Sequence, residues 1–161
     1  VVLLDLGAGD GYVGETAERS AKVDEVLLAD VVDFNQTDLP FFCYDGSRLP
    51  FDDDCFDTTL LLYVLHHAVD ADLVLRETRR VTSHQVAVLE SVVETKADRR
   101  WLTVADTLAN RLRSGGEMKE QQLHFCTVEE WRSRFANAGF QIVIEQRKGH
   151  LLHKRHLFIL R

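Results

Sequence analysis

The chain opens VVLLDLGAGDG (residues 1–11), an apolar run that breaks into three glycines spaced by single residues, with one acid before them and one among them. A short continuous apolar run such as VVLLDL suits a strand buried on both faces, as in a parallel sheet. Gly7, Gly9 and Gly11 let the backbone take positive φ and approach a ligand closely. The following YVGETAERSAKV (12–23) reads as a helix with free N–H groups at its start. The cluster also fits a tight strand-to-helix turn with no ligand. Its spacing departs from the dinucleotide fingerprint G-x-G-x-x-G, because Tyr12 stands where the third glycine belongs. Asp5 and Asp10 would crowd a pyrophosphate with like charge. A site of this kind prefers an ammonium or sulfonium centre to a phosphate.

Working outward, DEVLLAD (24–30) reads as a second buried strand, and LPFFCYD (39–45) as a weaker third, since Pro40 fits only a strand's first residue or an edge. CFDTTLLLYVL (55–65) is a strong fourth strand, DADLVLRETRRV (70–81) a helix with Asp70 as N-cap, and HQVAVLESVV (84–93) a fifth strand. Strands alternating with helices at this spacing predict right-handed βαβ units and a doubly wound α/β fold.

The last third changes character. From Asp98 to Arg113, Trp101, Ala105, Leu108 and Leu112 fall on one helical face, and Ser114-Gly115-Gly116 ends the element. Thr127–Glu130 is a capping box opening a helix that carries Trp131 and Phe135 and stops at Gly139. FQIVIEQR and HLLHKRHLFILR then flank Lys148-Gly149 as an antiparallel hairpin. With no repeat and no linker, residues 1–161 read as a single domain.

Bulk properties narrow the function classes. The 161 residues carry a formal net charge of −7, which argues against generic binding to a nucleic-acid backbone. Apolar stretches such as TLLLYVL fall far short of the ~20 residues that span a bilayer, and there is no secretory signal. Cys43, Cys55 and Cys126 are widely spaced, which gives neither a disulfide framework nor a structural zinc site. The expected setting is the cytoplasm.

Two more acids stand at strand ends. Asp30 could accept hydrogen bonds from both hydroxyls of a ribose, a feature that would equally suit NAD; it also reads as a solvated loop aspartate. Asp45, before Gly46, could accept the exocyclic amine of an adenine, or could simply make an Asp-Gly turn.

Taken together, VVLLDLGAGDG, Asp30, YDGSRLPFDDDCFD and LLLYVLHH, followed by LRETRRV, a strand ending at Glu90 and TVEEWRSRFANAGF, resemble the class I S-adenosylmethionine-dependent methyltransferases. Among these the chain looks most like the small-molecule group that includes quinone C-methyltransferases. The resemblance implies a seven-stranded Rossmann-like sheet in the order 3-2-1-4-5-7-6 with strand 7 antiparallel, and agrees with the hairpin read at the chain's end. It implies S-adenosylmethionine as cofactor, S-adenosylhomocysteine as product, and a small-molecule or lipid-like acceptor. It also implies that Asp5, Gly7, Ala8, Gly9 and Gly11 line the methionine portion and that Asp30 holds the ribose. Val31 would pack on the adenine, Asp45 and Gly46 would flank it, and Leu62 and Tyr63 would face the sulfonium. The family places one or two lid helices before the first strand. None stands in this sequence, so a preceding segment, a homodimer partner or another partner chain is expected to cover the cofactor site.

For the chemistry, candidates at the mouth are Tyr63, His66, His67 and Glu90. His67 reads as a residue orienting the loop after strand four or as a general base, with its near-neutral pKa in favour of the second. His66 reads as a surface residue. Glu90 either lines the acceptor site or ends its strand in water. His150, His153 and His156 do not converge as strand residues, so no metal site is expected there; with Lys148, Lys154 and Arg155 they form a small basic patch. Residues 94–125 are the expected acceptor-selecting insertion. The rival readings are an inactive S-adenosylmethionine-binding subunit and an NAD-dependent oxidoreductase, the latter opposed by Tyr12 and the flanking acids.

Overall fold

The opening apolar run forms β1 (Val2–Leu6), with Leu4 and Leu6 fully enclosed. The computed structural model describes residues 1–113, 123–150 and 153–161. After β1 come α1 (Tyr12–Glu18), β2 (Glu25–Asp30), β3 (Phe41–Cys43), β4 (Phe56–Leu62), α2 (Ala71–Val81) and β5 (Thr82–Ser91). The last third contributes α3 (Lys96–Arg113), α4 (Val128–Asn137), β6 (Ile142–His150) and β7 (His153–Leu160). The strands make one seven-stranded sheet in the order β3-β2-β1-β4-β5-β7-β6. β1 to β5 pair in parallel, and β7 runs antiparallel to both β5 and β6. The expected topology is therefore the observed one.

Local chemistry accounts for the helix ends. Asp70 accepts the Leu73 N–H at 2.9 Å and so caps α2. Thr127 and Glu130 form the reciprocal capping box that starts α4. α4 turns Trp131 and Phe135 onto the sheet, where Phe135 meets the Phe158 ring edge-on at 5.1 Å. No described helix is long and apolar enough to cross a membrane.

Three expectations need correction. The first helix stops at Glu18, because the Ser20 N–H turns back to the Ala17 carbonyl at 2.9 Å and the Val23 N–H to that of Ser20. In α3 the shared face of Trp101 and Leu108 points outward, and Leu102 is the residue buried, against Val93 and Phe125; the Leu112 side chain lies outside the described ones. Lys148 and Gly149 do not form the hairpin link. They lie within β6, opposite Arg155 and Lys154; residues 151–152 lie outside the described residues, as do Ser114, Gly115 and Gly116. Gly149 takes φ +87° and leaves its Cβ side to the His153 carbonyl, and the ladder runs on past it to His150 opposite His153.

Candidate functional site

The sheet order reverses direction between β1 and β4, and the carboxyl ends of strands at such a switch point are where open α/β sheets take ligands. The glycine turn lies there. N–H groups of Gly7 and Ala8 donate to the Ala29 carbonyl at 2.7 and 3.2 Å, fastening the turn to β2. Gly7 has φ +78°, and a Cβ there would fall 2.4 Å from Val64 Cγ2, so conformation and space both require glycine. Gly9, at φ +56°, has nothing within 4 Å of where its Cβ would be. It is the open side of the cradle. Gly11 supplies the left-handed N-cap of α1.

Asp30 closes β2 and shapes this turn. Its Oδ2 accepts the Gly9 N–H at 2.9 Å and its Oδ1 the Val31 N–H at 2.6 Å. Each oxygen keeps a second lone pair, so the group still has acceptor capacity. Asp5 is only 2 % exposed and sits beneath the turn, against Gly14 of α1. Its Oδ2 makes no hydrogen bond of regular geometry. Burial pushes its carboxyl up to about 6; the Gly14 N–H pulls the other way, and the charges of Asp30 and Asp10 add to the rise. Three carboxylates thus share one turn.

Beside it, Val31 is exposed, and a Cβ on Gly46 would lie 3.3 Å from Val31 Cγ1, so the two line one slot. The Tyr44 N–H donates to the Asp30 carbonyl at 3.0 Å, which ties this loop to β2. Asp45 stands at the rim. Its Oδ1 accepts from the Ser47 hydroxyl at 2.5 Å and the Ser47 N–H at 2.9 Å, and these bonds hold its carboxyl below the usual range. The Asp-Gly turn is therefore formed, with the second carboxylate oxygen outside it.

At the end of β4, half-buried Leu62 leads into Tyr63, which takes φ +61°. A left-handed aromatic residue stores about 1–3 kcal/mol of backbone strain. It is held by its N–H donating to the Leu89 carbonyl at 2.8 Å, and its hydroxyl accepts from Arg155 Nη1 at 3.2 Å.

His66 and Glu90 are not where the sequence places them. His66 is 1 % exposed and Glu90 fully buried, because each satisfies the other: His66 Nδ1 and Glu90 Oε2 are 2.6 Å apart, and Glu90 Oε1 accepts the Leu65 N–H at 2.8 Å. Burial alone would lower the His66 imidazole, but attraction to Asp106 and Glu90 outweighs it and raises it to about 9. His67 is half-buried; its ring lies 4.1 Å from that of His66, and its Nε2 faces Asp106 Oδ2 at 3.7 Å.

Sequence reasoning missed Asp106, the packing of Val64 on Gly7, and the reach of Arg155, read only as part of a basic patch, to Tyr63. A signal existed for Asp106, which lies four residues after buried Leu102 and so on the inward face of α3. The tail histidines go separate ways. His153 Nε2 meets Ser91 Oγ at 2.8 Å, and His156 Nδ1 lies 3.6 Å from Glu145. His150 pairs with His153 across the hairpin rather than sharing its strand.

A family described as "Methyltransferase domain" matches residues 4–89. The demethylmenaquinone methyltransferase of Corynebacterium urealyticum is 39 % identical over 83 residues, covering 50 % of this chain and 36 % of that protein. The enzyme of that name from Streptomyces griseus subsp. griseus is 46 % identical over 44 residues, 27 % of this chain and 19 % of its own length. The chain thus matches little more than a third of the first relative and a fifth of the second. Among solved structures, a SAM-dependent methyltransferase from Methanosarcina mazei aligns with TM-score 0.75 at 18 % identity, covering 99 % of this chain and 91 % of that one. A chain from the complex between the Haloferax volcanii Trm112 methyltransferase activator and a methyltransferase aligns at 0.76 and 16 %, covering 99 % and 81 %. The [4+2]-cyclase SpnF also aligns at 0.76, with 17 % identity, covering 100 % and 74 %. At these identities the likeness speaks for the fold alone.

Proposed function

The chain belongs to the methyltransferase-domain family, and from this premise we propose that it transfers the methyl group of S-adenosylmethionine to a small-molecule or lipid-like acceptor, with S-adenosylhomocysteine as product. The supporting observation is the convergence of Asp5, Asp10 and Asp30 on one glycine turn that is open at Gly9. A pyrophosphate would add negative charge to three carboxylates, whereas an ammonium or sulfonium offsets it.

The residues fit that cofactor. Asp30, whose oxygens each spend one lone pair on the turn, receives the ribose hydroxyls on the others. Val31 and Gly46 form an apolar slot for the adenine, with Asp45 at its rim. Ala8 and the glycine turn lie along the methionine portion, and Asp5 acts on it from beneath by charge. When bound, the cofactor supplies an electrophilic methyl group on a sulfonium.

The chain's own residues then position the partners, and alignment of nucleophile, carbon and leaving group can supply much of the acceleration. Leu62 and Tyr63 present the end of β4 to the methyl, with Tyr63 held by Arg155. Of the roles open to His67, orienting the loop after β4 is supported by its packing on His66 and its approach to Asp106. A base role applies only to acceptors that lose a proton. Residues 94–125 remain our acceptor-selecting segment, within a domain we take to span 1–161. The likeness to demethylmenaquinone methyltransferases favours a demethylated quinone as the acceptor.

Calorimetric titration with S-adenosylmethionine, S-adenosylhomocysteine and NAD tests the cofactor, and S-adenosylhomocysteine release in the presence of a demethylated quinol tests the acceptor. Binding of the first two but not NAD, with turnover on the quinol, is expected. Binding of NAD alone would sink the reading. S-adenosylmethionine binding without turnover on any acceptor would favour a cofactor-binding subunit.

A further inference from the structure

Outside the cofactor cradle, two imidazoles and a carboxylate converge where the loop after β4 meets α3. His66 Nε2 lies 3.6 Å from Asp106 Oδ1, and His67 Nε2 lies 3.7 Å from Asp106 Oδ2. One ligating atom from each of the three residues falls within 4.8 Å of the other two. Bonds of about 2.0–2.1 Å to a common tetrahedral ion set ligand atoms roughly 3.3 Å apart, so the two histidine–carboxylate gaps, one to each Asp106 oxygen, need close by a few tenths of an ångström, and the remaining separation, within 4.8 Å, closes by turning the half-exposed His67 and Asp106 side chains.

The arrangement around His66 is that of a prepared ligand. Its Nδ1 meets the fully buried Glu90 carboxylate at 2.6 Å, and Glu90 is itself fixed by the Leu65 N–H. A carboxylate that accepts the Nδ1–H bond keeps that proton on Nδ1, so an ion at Nε2 displaces only the second ring proton and meets a lone pair directed the other way. Metal-bound histidines are usually oriented by such a partner. His66 Nε2 is buried, makes no hydrogen bond of normal length and faces Asp106. Phe125 stacks on the same ring at 4.8 Å and keeps that side dry. The His67 and Asp106 side chains are 24 % and 23 % exposed, which leaves a way in from their side.

We propose that His66, His67 and Asp106 bind one divalent transition-metal ion, of the zinc or ferrous class, through His66 Nε2, His67 Nε2 and the Asp106 carboxylate. Two imidazoles and one carboxylate suit these borderline ions over Mg²⁺ or Ca²⁺, which take all-oxygen sets. Three protein ligands leave a coordination position open. The ion fastens α3, and with it the segment assigned to acceptor selection, to the end of β4. The loop-orienting role of His67 is then exercised through the metal. The site is independent of whether methyl transfer is the chain's reaction.

The test uses chelator-treated protein titrated with Zn²⁺ by calorimetry and with Co²⁺ by visible absorption, with Mg²⁺ in parallel. One equivalent of Zn²⁺ is expected to bind, Co²⁺ to give the absorption of a four- or five-coordinate ion, and Mg²⁺ not to compete. Asp106→Asn and His67→Ala are each expected to weaken Zn²⁺ binding at least tenfold, while His84→Ala, at an exposed histidine, leaves it unchanged. Should a His66 variant fail to fold, Asp106→Asn on its half-exposed helix position keeps the test open. Substoichiometric binding, equal affinity in Asp106→Asn, or equal competition by Mg²⁺ would each overturn the proposal and leave a hydrogen-bonded charge cluster.

Discussion

Asp30 combines two tasks in one carboxylate, since it holds the open glycine of the cradle through the Gly9 N–H and offers its other lone pairs outward. Asp30→Ala removes charge-assisted bonding of which a single hydrogen bond is worth about 1.5–3 kcal/mol, so the dissociation constant for S-adenosylmethionine should rise at least about tenfold to a hundredfold in calorimetry. An unchanged constant would remove Asp30 from the ribose. Asp5 carries the opposite lesson, a carboxyl whose burial is unfavourable to folding. The folded group, raised to about 6, binds its proton more tightly than the unfolded one. Its contribution is therefore present at low pH and lost as pH rises from about 4 through about 6. Asp5→Asn has no such dependence, and the wild type should lose about 2 kcal/mol relative to it between pH 4 and 7.5. Denaturant midpoints at the two pH values measure this, and a pH-independent gap would contradict it. At this scale the glycines and Asp30 were legible because each sits at the end of an apolar run. The His66–Glu90 pair was not, because its members lie on separate elements and no local pattern records that they touch.

Elements position the cradle through bonds that cross between them, and α2 shows how. The loop after β3, which carries Asp45 and Gly46, is pinned to this helix by Arg80, whose Nη1 donates to the Phe51 carbonyl at 2.7 Å and Nη2 to the Leu49 carbonyl at 2.9 Å. Glu77 completes the clamp, taking the Leu49 N–H at 3.0 Å and Arg80 Nη2 at 2.7 Å. Arg80→Ala should cost about 2–3 kcal/mol in chemical denaturation, since it strands two carbonyls and a largely buried carboxylate. Arg80→Lys should not restore it, because an ammonium cannot reproduce the planar fork. Full stability in either variant would show that the loop is held by its apolar side chains instead. The two capped helices were readable because capping joins residues three apart in sequence. Which way the α3 face turns was not readable, for the complementary reason. Periodicity states which residues share a side, but packing against Val93 and Phe125 decides which side turns inward.

Across the whole molecule, the sheet order places β1 and β4 side by side at its centre, with β2 beside β1, so that loops from separate βα units end at one edge. Alternating strands and helices foretold the doubly wound class, and the family resemblance supplied the strand order, while the hairpin link and the His66–Asp106 approach were not foreseeable: both depend on pairing between distant segments. A ligand lying along this edge contacts the turn after β1, the end of β2, the loop after β3 and the end of β4 together. None of these is assembled in the unfolded chain. Binding should therefore stabilise only the native state, by about 2.7 kcal/mol at a ligand concentration 100 times its dissociation constant. For a chain of this size that corresponds to a rise of roughly 5–10 °C in the melting temperature. S-adenosylmethionine and S-adenosylhomocysteine should both produce it, NAD at the same concentration should not, and Asp30→Ala should blunt it. A rise with NAD equal to that with S-adenosylmethionine would mean that the edge accepts a pyrophosphate after all, and that the three acids beside the glycine turn do not choose the ligand's charge.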